Sequence, residues 1–490
     1  MLKEVLVNAV TGWAALSWGC GMLIVLAATP LVRSWAIRRN LLDRAGQFHT
    51  THTIAVPRLG GFSLIIAFTA VFWGITLANA KGNFEVPKEA GIICLSSLSI
   101  FILGVWDDVR PLSARIKLTF QILVAWFVYW GGIRIDRWMN PFTQSIYSFG
   151  SWDMPLTILW LVSITNLINL IDGIDGLACG LTFFLMILLA IASGATGNIF
   201  TLLLSLGMAG ALLGFLFYNF PPAKIFMGDG GSYFLGMLIA ELALLNSNKG
   251  EVAAALIVPF FALGLPIIDA SFTVFRRVLV GLPIFRADRK HIHHRLAAMG
   301  FSRQRVVLLL YAVCIFFALL ALGVFVWQER LLPLLFGVFM IVMVLSARIF
   351  GFVQDWYKLG KSLTDSVHRR KHTKYALLLG QLLLMEAERC KSVDELWENF
   401  GFLLQKLGFC SVVLSSQTGE RRWNLQDASS LHEKKNSILQ EVKGDSPIKI
   451  TFNCKSNVWD SETLQLLSEL ATEAWVKALA QWQNLHRVTP

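Results

Sequence analysis

The sequence predicts an α-helical polytopic membrane protein of about 10–11 transmembrane helices, with a small cytoplasmic α+β domain at its C-terminal end. Three observations carry this. Hydrophobic residues make up 55% of the 490 and charged residues only 15%, with a mean hydropathy of +0.59; soluble domains carry about a quarter charged residues. Apolar runs long enough to cross a bilayer recur through the first 350 residues. Charge density then doubles: residues 1–350 hold 25 Lys+Arg and 16 Asp+Glu, whereas the much shorter 351–490 holds 18 and 16. The expected organisation is a transmembrane body over 1–350 and a soluble domain over 351–490.

The expected spans lie near 12–36, 60–79, 91–106, 117–135, 155–171, 176–194, 198–218, 233–246, 252–275, 306–328 and 331–350. The first reads as an anchor and not as a cleaved signal. Alternate loops form two sets. One contains 37–59, 107–116, 172–175, 219–232 and 276–305. Within it, 276–305 has eight Lys/Arg against one Asp, and 37–59 has four Arg against one Asp. The other set is near neutral. Positive loops stay inside, so the first set is expected in the cytoplasm, together with the C-terminal domain. The net charge of +11 is thereby explained by orientation, and no nucleic-acid partner is expected. Seven scattered cysteines without a CxxC pair indicate neither a zinc ribbon nor a disulfide framework.

The unusual residues gather in the positive set of loops. NLINLIDGIDGLACG (166–180) carries Asn169, Asp172 and Asp175 at three-residue spacing, with glycines after both aspartates. Ionisable groups at a span's end are costly, and the spacing puts Asn169 and Asp172 on one face if the helix persists. GVWDDVRPLSARIKL (104–118) places Asp107 and Asp108 just past a span and Lys117 where the next begins. PPAKIFMGDGGSYFLG (221–236) embeds one carboxylate, Asp229, among small residues. That suits Mg2+, which takes one or two carboxylates and keeps water or phosphate in its remaining positions. RADRKHIHHRL (286–296) sets His291, His293 and His294 among Arg286, Arg289, Lys290 and Arg295. So basic a setting suits an anion better than zinc, with Arg and His as donors to phosphate. HTTHTIAVPRLGG (49–61) adds His49, His52 and Arg58.

Carboxylates for a metal, cations for phosphates and a position at the cytosol–membrane boundary suit phosphoryl transfer from a soluble nucleotide-activated donor to a lipid acceptor. Such transfer needs positioning and charge neutralisation more than covalent catalysis. Two other classes stand beside it. A transporter or lipid flippase with a regulatory cytoplasmic domain would line a pathway with charges near the midplane. A membrane sensor would have its output in the C-terminal domain.

The ordered set PRLGG, WDD, NLINLIDGIDGLA, FMGDGGS and DRKHIHHRL, from about residue 40 to 300, resembles the polyprenyl-phosphate N-acetylhexosamine-1-phosphate transferases. The histidine motif looks more like the branch that starts O-antigen and teichoic-acid linkage chains than the phospho-MurNAc-pentapeptide branch. The resemblance implies transfer of a HexNAc-1-phosphate, GlcNAc first and a 6-deoxy-HexNAc as competitor, from a UDP-sugar to undecaprenyl phosphate with release of UMP. It implies Mg2+, with Mn2+ as the substitute, a bacterial inner-membrane location and a cytoplasmic cleft. By motif, Asp229 is implied as metal ligand with Asn169 assisting at the metal or pyrophosphate. Asp107 and Asp108 would handle the lipid phosphate, Lys117 would contact phosphates, and Asp172 and Asp175 would organise the nucleotide-sugar site. His291, His293, His294 and Arg295 would hold the donor. The first motif departs from the family: His52 takes the motif histidine position, His49 stands where an Arg is usual, and the starting Pro is absent.

In the C-terminal part, HRRKH (368–372) is expected beside anionic lipid, within a helical stretch to about Arg389. Ser392 to Glu395 is a capping box before another helix. GFCSVVLSS (408–416) and IKITFN (448–453) read as strands, and 460–486 as a long amphipathic helix. This order resembles a small GAF-like domain, a unit suited to binding an effector or forming a homodimer.

Overall fold

A computed structural model describes residues 2–43, 56–79, 85–139, 145–247, 299–326, 332–349, 363–416, 419–425, 435–442, 448–455, 459 and 461–486, with Gly264, Ile267, Arg277 and Leu296. The expected span 252–275, apart from Gly264 and Ile267, and the motif residues His49, His52, His291, His293, His294 and Arg295 lie outside the described residues. The chain separates into two compact units.

The first unit contains ten α-helices among the described residues. They are α1 (Leu2–Arg38), α2 (Gly61–Asn79), α3 (Ala90–Val109), α4 (Ala114–Trp130), α5 (Asp153–Ile171), α6 (Leu177–Thr196), α7 (Ile199–Asn219), α8 (Gly228–Ser247), α9 (Arg303–Val326) and α10 (Leu332–Ile349). Among the described residues seven segments are long and apolar enough to cross a membrane: Val10–Arg38, Gly61–Asn79, Ala90–Val109, Gly150–Ile171, Leu177–Thr196, Ile199–Asn219 and Arg303–Gly323. Helices α4, α8 and α10 meet the expected spans at 117–135, 233–246 and 331–350. Two short antiparallel pairs, β1 (Leu42–Asp43) with β2 (Val56–Pro57) and β3 (Arg137–Met139) with β4 (Ile146–Ser148), lie between helices.

Helix α8 is the centre of this unit. Every residue from Gly230 to Asn246 is buried. A helix that is apolar on all sides belongs inside other helices, and α3, α5, α2 and α6 surround it. Small residues set the approach. A Cβ on Gly236 would lie 2.6 Å from Thr165 Cα on α5, and one on Gly61 would lie 2.5 Å from the Gly231 amide nitrogen. Without a solvent-driven apolar effect between helices, this close backbone approach is a main source of cohesion. The outer helices present exposed apolar residues, among them Leu23, Leu31, Trp73, Leu77, Trp126 and Trp130, as a lipid-facing surface requires.

The second unit carries α11 (Leu363–Ala387), α12 (Val393–Lys406), β5 (Ser411–Ser416), β6 (Gly419–Asn424), β7 (Lys435–Val442), β8 (Ile448–Lys455) and α13 (Ser461–His486). The strands form one antiparallel sheet in the order β6-β5-β8-β7. The Ser392 half of the capping box forms, its Oγ accepting from the Glu395 amide at 3.2 Å, while Glu395 Oε2 accepts at 2.8 Å from the Lys391 amide, one residue before the cap. Trp397, Phe400 and Trp475 make a buried aromatic cluster with centroids 5.0–5.5 Å apart. Strands β6 and β7 are additions to the sequence reading. Strand β6, GERRWN, is an edge strand whose arginines pair with Asp394 and Glu420; charged edges resist unwanted pairing but hide the strand from an apolar-alternation search.

The packing at Gly236 gives a prediction. Gly236→Val should cost about 1–3 kcal/mol by overpacking and lower the melting temperature of the detergent-solubilised protein. Gly74→Val should not, because nothing lies within 4 Å of that position.

Candidate active site

The site begins where α8 begins. Met227 precedes Gly228, whose φ of +77° is a left-handed turn that glycine adopts without strain. Segment 57–61 runs alongside. The Phe226 amide donates to Pro57 O, the Gly60 amide to Phe226 O and the Gly61 amide to Met227 O, each at 2.8 Å. The PRLGG and FMGDGGS motifs, more than 160 residues apart in sequence, are thus zipped together by their backbones.

The first turn of a helix leaves amide groups without intrahelical partners. In α8 these are answered from α3. Asp108 Oδ1 accepts from the Asp229 amide at 2.9 Å and Oδ2 from the Gly230 amide at 3.0 Å. A carboxylate there also meets the positive end of the helix dipole. Asp108 is therefore a cap supplied by another helix. The close fit needs Gly104, where a Cβ would collide with the Asp229 backbone.

Asp107, one residue earlier, faces elsewhere. Its Oδ1 accepts from the Leu112 amide at 2.7 Å and its Oδ2 from Lys117 Nζ at 2.7 Å. Lys117 also stands 4.0 Å from Asp229 Oδ2. The carboxyl groups of Asp107 and Asp229 are within hydrogen-bond reach of each other. On the other side of Asp229, Asn169 Nδ2 donates to Asp229 Oδ1 at 2.8 Å and to Ser232 Oγ at 2.9 Å. The implied metal ligands Asp229 and Asn169 are thus together. Asn169 turns its amide N–H groups to Asp229 and so fixes that carboxylate's orientation.

Helix α5 ends at Ile171, and Asp172 is its C-cap, half-buried. Burial, and then the charges of Asp229, Asp108 and Asp175, push its carboxyl well above the usual carboxylate range, with Arg58 opposing. The shift places Asp172 in the electrostatic field of the same site. Asp175 is buried differently. Its Oδ2 accepts from the Ala223 amide at 3.0 Å, tying the α5–α6 turn to the loop before α8. Gly176, at φ +75°, donates its amide to Asn219 Oδ1 at 3.0 Å, and Tyr311 donates its hydroxyl to Gly176 O. Asp172 therefore borders the carboxylate cluster, and Asp175 belongs to the brace behind it.

The structure brings together Arg58, Asp107, Asp108, Lys117, Asn169, Asp172 and Asp229. Sequence reasoning missed five supporting side chains. Ser232 lies inside a recognised motif. Asn166, one turn before Asn169, exchanges amide hydrogen bonds with Gln121 of α4 at 2.6 and 3.5 Å. Asn219 and Tyr311 brace Gly176. The partners Gln121, Asn219 and Tyr311 had no visible signal, because each acts across helices.

These residues fit a divalent cation of the Mg2+ type. Among the described residues no three His, Cys, Asp or Glu side chains surround one point, so an all-protein cage is not offered. Asp229, one-third exposed, faces the carboxyl of Asp107 and offers one or two carboxylates, as expected for Mg2+ that completes its shell with water and phosphate.

Comparison with known proteins agrees with this geometry. The description of glycosyl transferase family 4 matches residues 90–247, the stretch from α3 to α8 that supplies all of these residues but Arg58. A probable undecaprenyl-phosphate N-acetylglucosaminyl 1-phosphate transferase of Bacillus subtilis (strain 168) is 35% identical over 361 residues, covering 73% of this chain and 96% of the relative. A decaprenyl-phosphate N-acetylglucosaminephosphotransferase of Mycobacterium tuberculosis (strain ATCC 25618 / H37Rv) is 31% identical over 59% of this chain and 77% of its own length. A phospho-N-acetylmuramoyl-pentapeptide-transferase of Clostridioides difficile (strain 630) is 27% identical over 59% and 89%.

The two adjacent aspartates should separate experimentally. Asp108→Asn leaves one α8 amide facing an NH2 group and should cost about 1–3 kcal/mol, read as a lower melting temperature. Asp107→Asn, which touches no helix terminus, should leave the melting temperature within a few degrees of the wild type.

Proposed function

The chain belongs to glycosyl transferase family 4, among the polyprenyl-phosphate N-acetylhexosamine-1-phosphate transferases, and from that premise we propose that it transfers GlcNAc-1-phosphate from UDP-GlcNAc to undecaprenyl phosphate. The observation that carries the proposal is the constellation Asp107–Lys117–Asp229–Asn169. In the proposed reaction a phosphate oxygen of the lipid attacks the β-phosphorus of the UDP-sugar. The bond from that phosphorus to the bridging oxygen breaks, and UMP leaves with the electron pair. The products are a lipid-linked pyrophosphoryl sugar and UMP, the first step of a cell-envelope glycan.

The nucleophile is itself a phosphate, whose second pKa is about 6, so it reaches the site already ionised at neutral pH. The chain's task is then positioning and charge neutralisation. Lys117, held by Asp107, is a cation available to the phosphates. Asn169 and Ser232 hold Asp229 in one orientation. Bound at Asp229 beside Asp107, Mg2+ (or Mn2+) would neutralise phosphate charge and polarise the phosphoryl group being transferred. Asp172 borders the nucleotide-sugar side, with Asp175 fixing its loop. Arg58 is exposed beside the start of α8, and His52, His291, His293, His294 and Arg295 are proposed to hold the donor. The Lys/Arg-rich loops support a bacterial cell-membrane protein whose site and C-terminal domain face the cytoplasm.

Membranes containing the protein, given undecaprenyl phosphate and a panel of UDP-sugars, should release UMP with UDP-GlcNAc and with no other nucleotide sugar at a comparable rate. Release should stop when EDTA removes divalent cations and resume with Mg2+. Asp229→Asn and Asp107→Asn should each lower kcat/KM by about 100-fold or more. Near-normal turnover in both variants sinks the assignment.

A further inference from the structure

Helix α4 brings Lys117 to the site, yet little holds that part of the helix. From Ala114 to Phe120 no residue is buried, and Ile116, Leu118 and Phe120 expose apolar side chains. Apolar groups facing lipid make the same contacts at any height, so they do not stop α4 sliding along its neighbour. The ion pair of Lys117 with Asp107 ends a flexible four-carbon stem and does not fix the backbone. The first buried residue is Gln121, 1% exposed. Its partner is Asn166 of α5. Asn166 uses both amide hydrogens, donating to Val162 O of its own helix at 2.8 Å and to Gln121 Oε1 at 2.6 Å. Gln121 Nε2 returns a longer bond to Asn166 Oδ1 at 3.5 Å. The Val162 bond fixes the Asn166 amide to the α5 backbone, so α5 meets Gln121 at one height.

The amide pair stands one turn beneath the reactive groups. Gln121 lies four residues after Lys117, and Asn166 three residues before Asn169. Helix α4 begins and α5 ends beside Asp229, so both steps lead away from it, by about 5 Å of helix. A buried amide pair sets the register of two helices, because a shift that apolar surfaces tolerate leaves its donors and acceptors unpaired. We propose that Gln121 and Asn166 are positioning residues, whose paired amides fix α4 against α5 and thereby hold Lys117 and Asn169 at their separation across Asp229. The role in catalysis rests on the transfer proposed above; the register does not. A misplacement of about 1 Å between such groups lowers turnover by about 100-fold.

The test replaces both amides with apolar groups of similar shape, Gln121→Met with Asn166→Leu, in the full chain. Removing both partners leaves no unpaired amide, so the melting temperature should stay within a few degrees of the wild type. The kcat for UMP release should fall by about 100-fold, with the KM for UDP-GlcNAc changed by less than about three-fold. The swap, Gln121→Asn with Asn166→Gln, rebuilds an amide pair of the same combined reach and should recover at least about ten-fold in kcat over the apolar pair. Where the apolar pair does not assemble, the swap is set against Gln121→Asn alone, with the same gain expected. The register is read without activity, from nitroxides on Ile116→Cys and Ser163→Cys in a chain with Cys20→Ser and Cys94→Ser. One narrow distance distribution is expected with the amide pair intact, and a broadened or displaced one with the apolar pair. Wild-type kcat in the apolar pair, or a swap no better than its comparator, overturns the positioning role. An unchanged distance distribution overturns the register. No UMP from the wild-type chain overturns the proposed reaction, and the label distances still decide the register.

Discussion

A carboxylate from one helix closing the start of another is the contact on which this membrane body depends. Helix α8 is enclosed by protein from Gly230 to Asn246, so its first amides have little water to turn to. An unsatisfied amide in such a setting costs several kcal/mol. The segment before α8, Ile225 to Gly228, offers no capping side chain. Asp108 answers two of the amides at once, which fixes the depth of α3 against α8. Asp107 then necessarily faces a different direction, since neighbours on a helix point about 100° apart. The pairing of Asp107 with Lys117, and their nearness to Asp229, follow from the cap.

The same closeness explains the glycines. Gly61, Gly104, Gly230 and Gly236 each occupy a place where a Cβ would meet another segment or side chain. In the sequence, GDGG reads as part of the loop 219–232, with small residues around a carboxylate suited to Mg2+. In the structure it is the first turn of a buried helix, and the small residues let α2, α3 and α5 reach it. Both properties serve one end, because a carboxylate at a crowded helix start keeps its orientation whether or not substrate is present.

Much of this was legible in advance. Composition and apolar runs were enough for the membrane body, and the motif residues Asp107, Asp108, Lys117, Asn169, Asp172 and Asp229 do meet. The illegible parts share a cause. Asp108 as a cap, Asp175 as a brace to Ala223, and Gln121 with Asn166 are pairings between segments separated by tens of residues, and periodicity reports only what neighbours along one helix do. Three-residue spacing put Asn169 and Asp172 on one face, and the resemblance gave Asp172 and Asp175 one shared role. The end of α5 at Ile171 divided them, because Asp172 caps the helix while Asp175 lies in the turn beyond it. In the second unit the buried-face strands β5 and β8 were visible, and the polar edge β6 was not.

The charge balance bears on what the site needs. Asp107, Asp108, Asp172 and Asp229 sit together, while among the described residues the cations beside them are Lys117 and Arg58. Asp107 takes Lys117, and Asp108 is spent on the helix dipole. Asp229 and Asp172 meet weaker opposition, and after burial the charges of Asp229, Asp108 and Asp175 help push the Asp172 carboxyl above the usual carboxylate range. Two phosphorylated substrates entering such a field would be repelled unless positive charge entered with them. Among the described residues acid thus outweighs base at this site, and a divalent cation at Asp229, as proposed, would add the positive charge that Lys117 and Arg58 do not balance. Its acidic character, which alone would argue against phosphate binding, is what the proposed metal would answer.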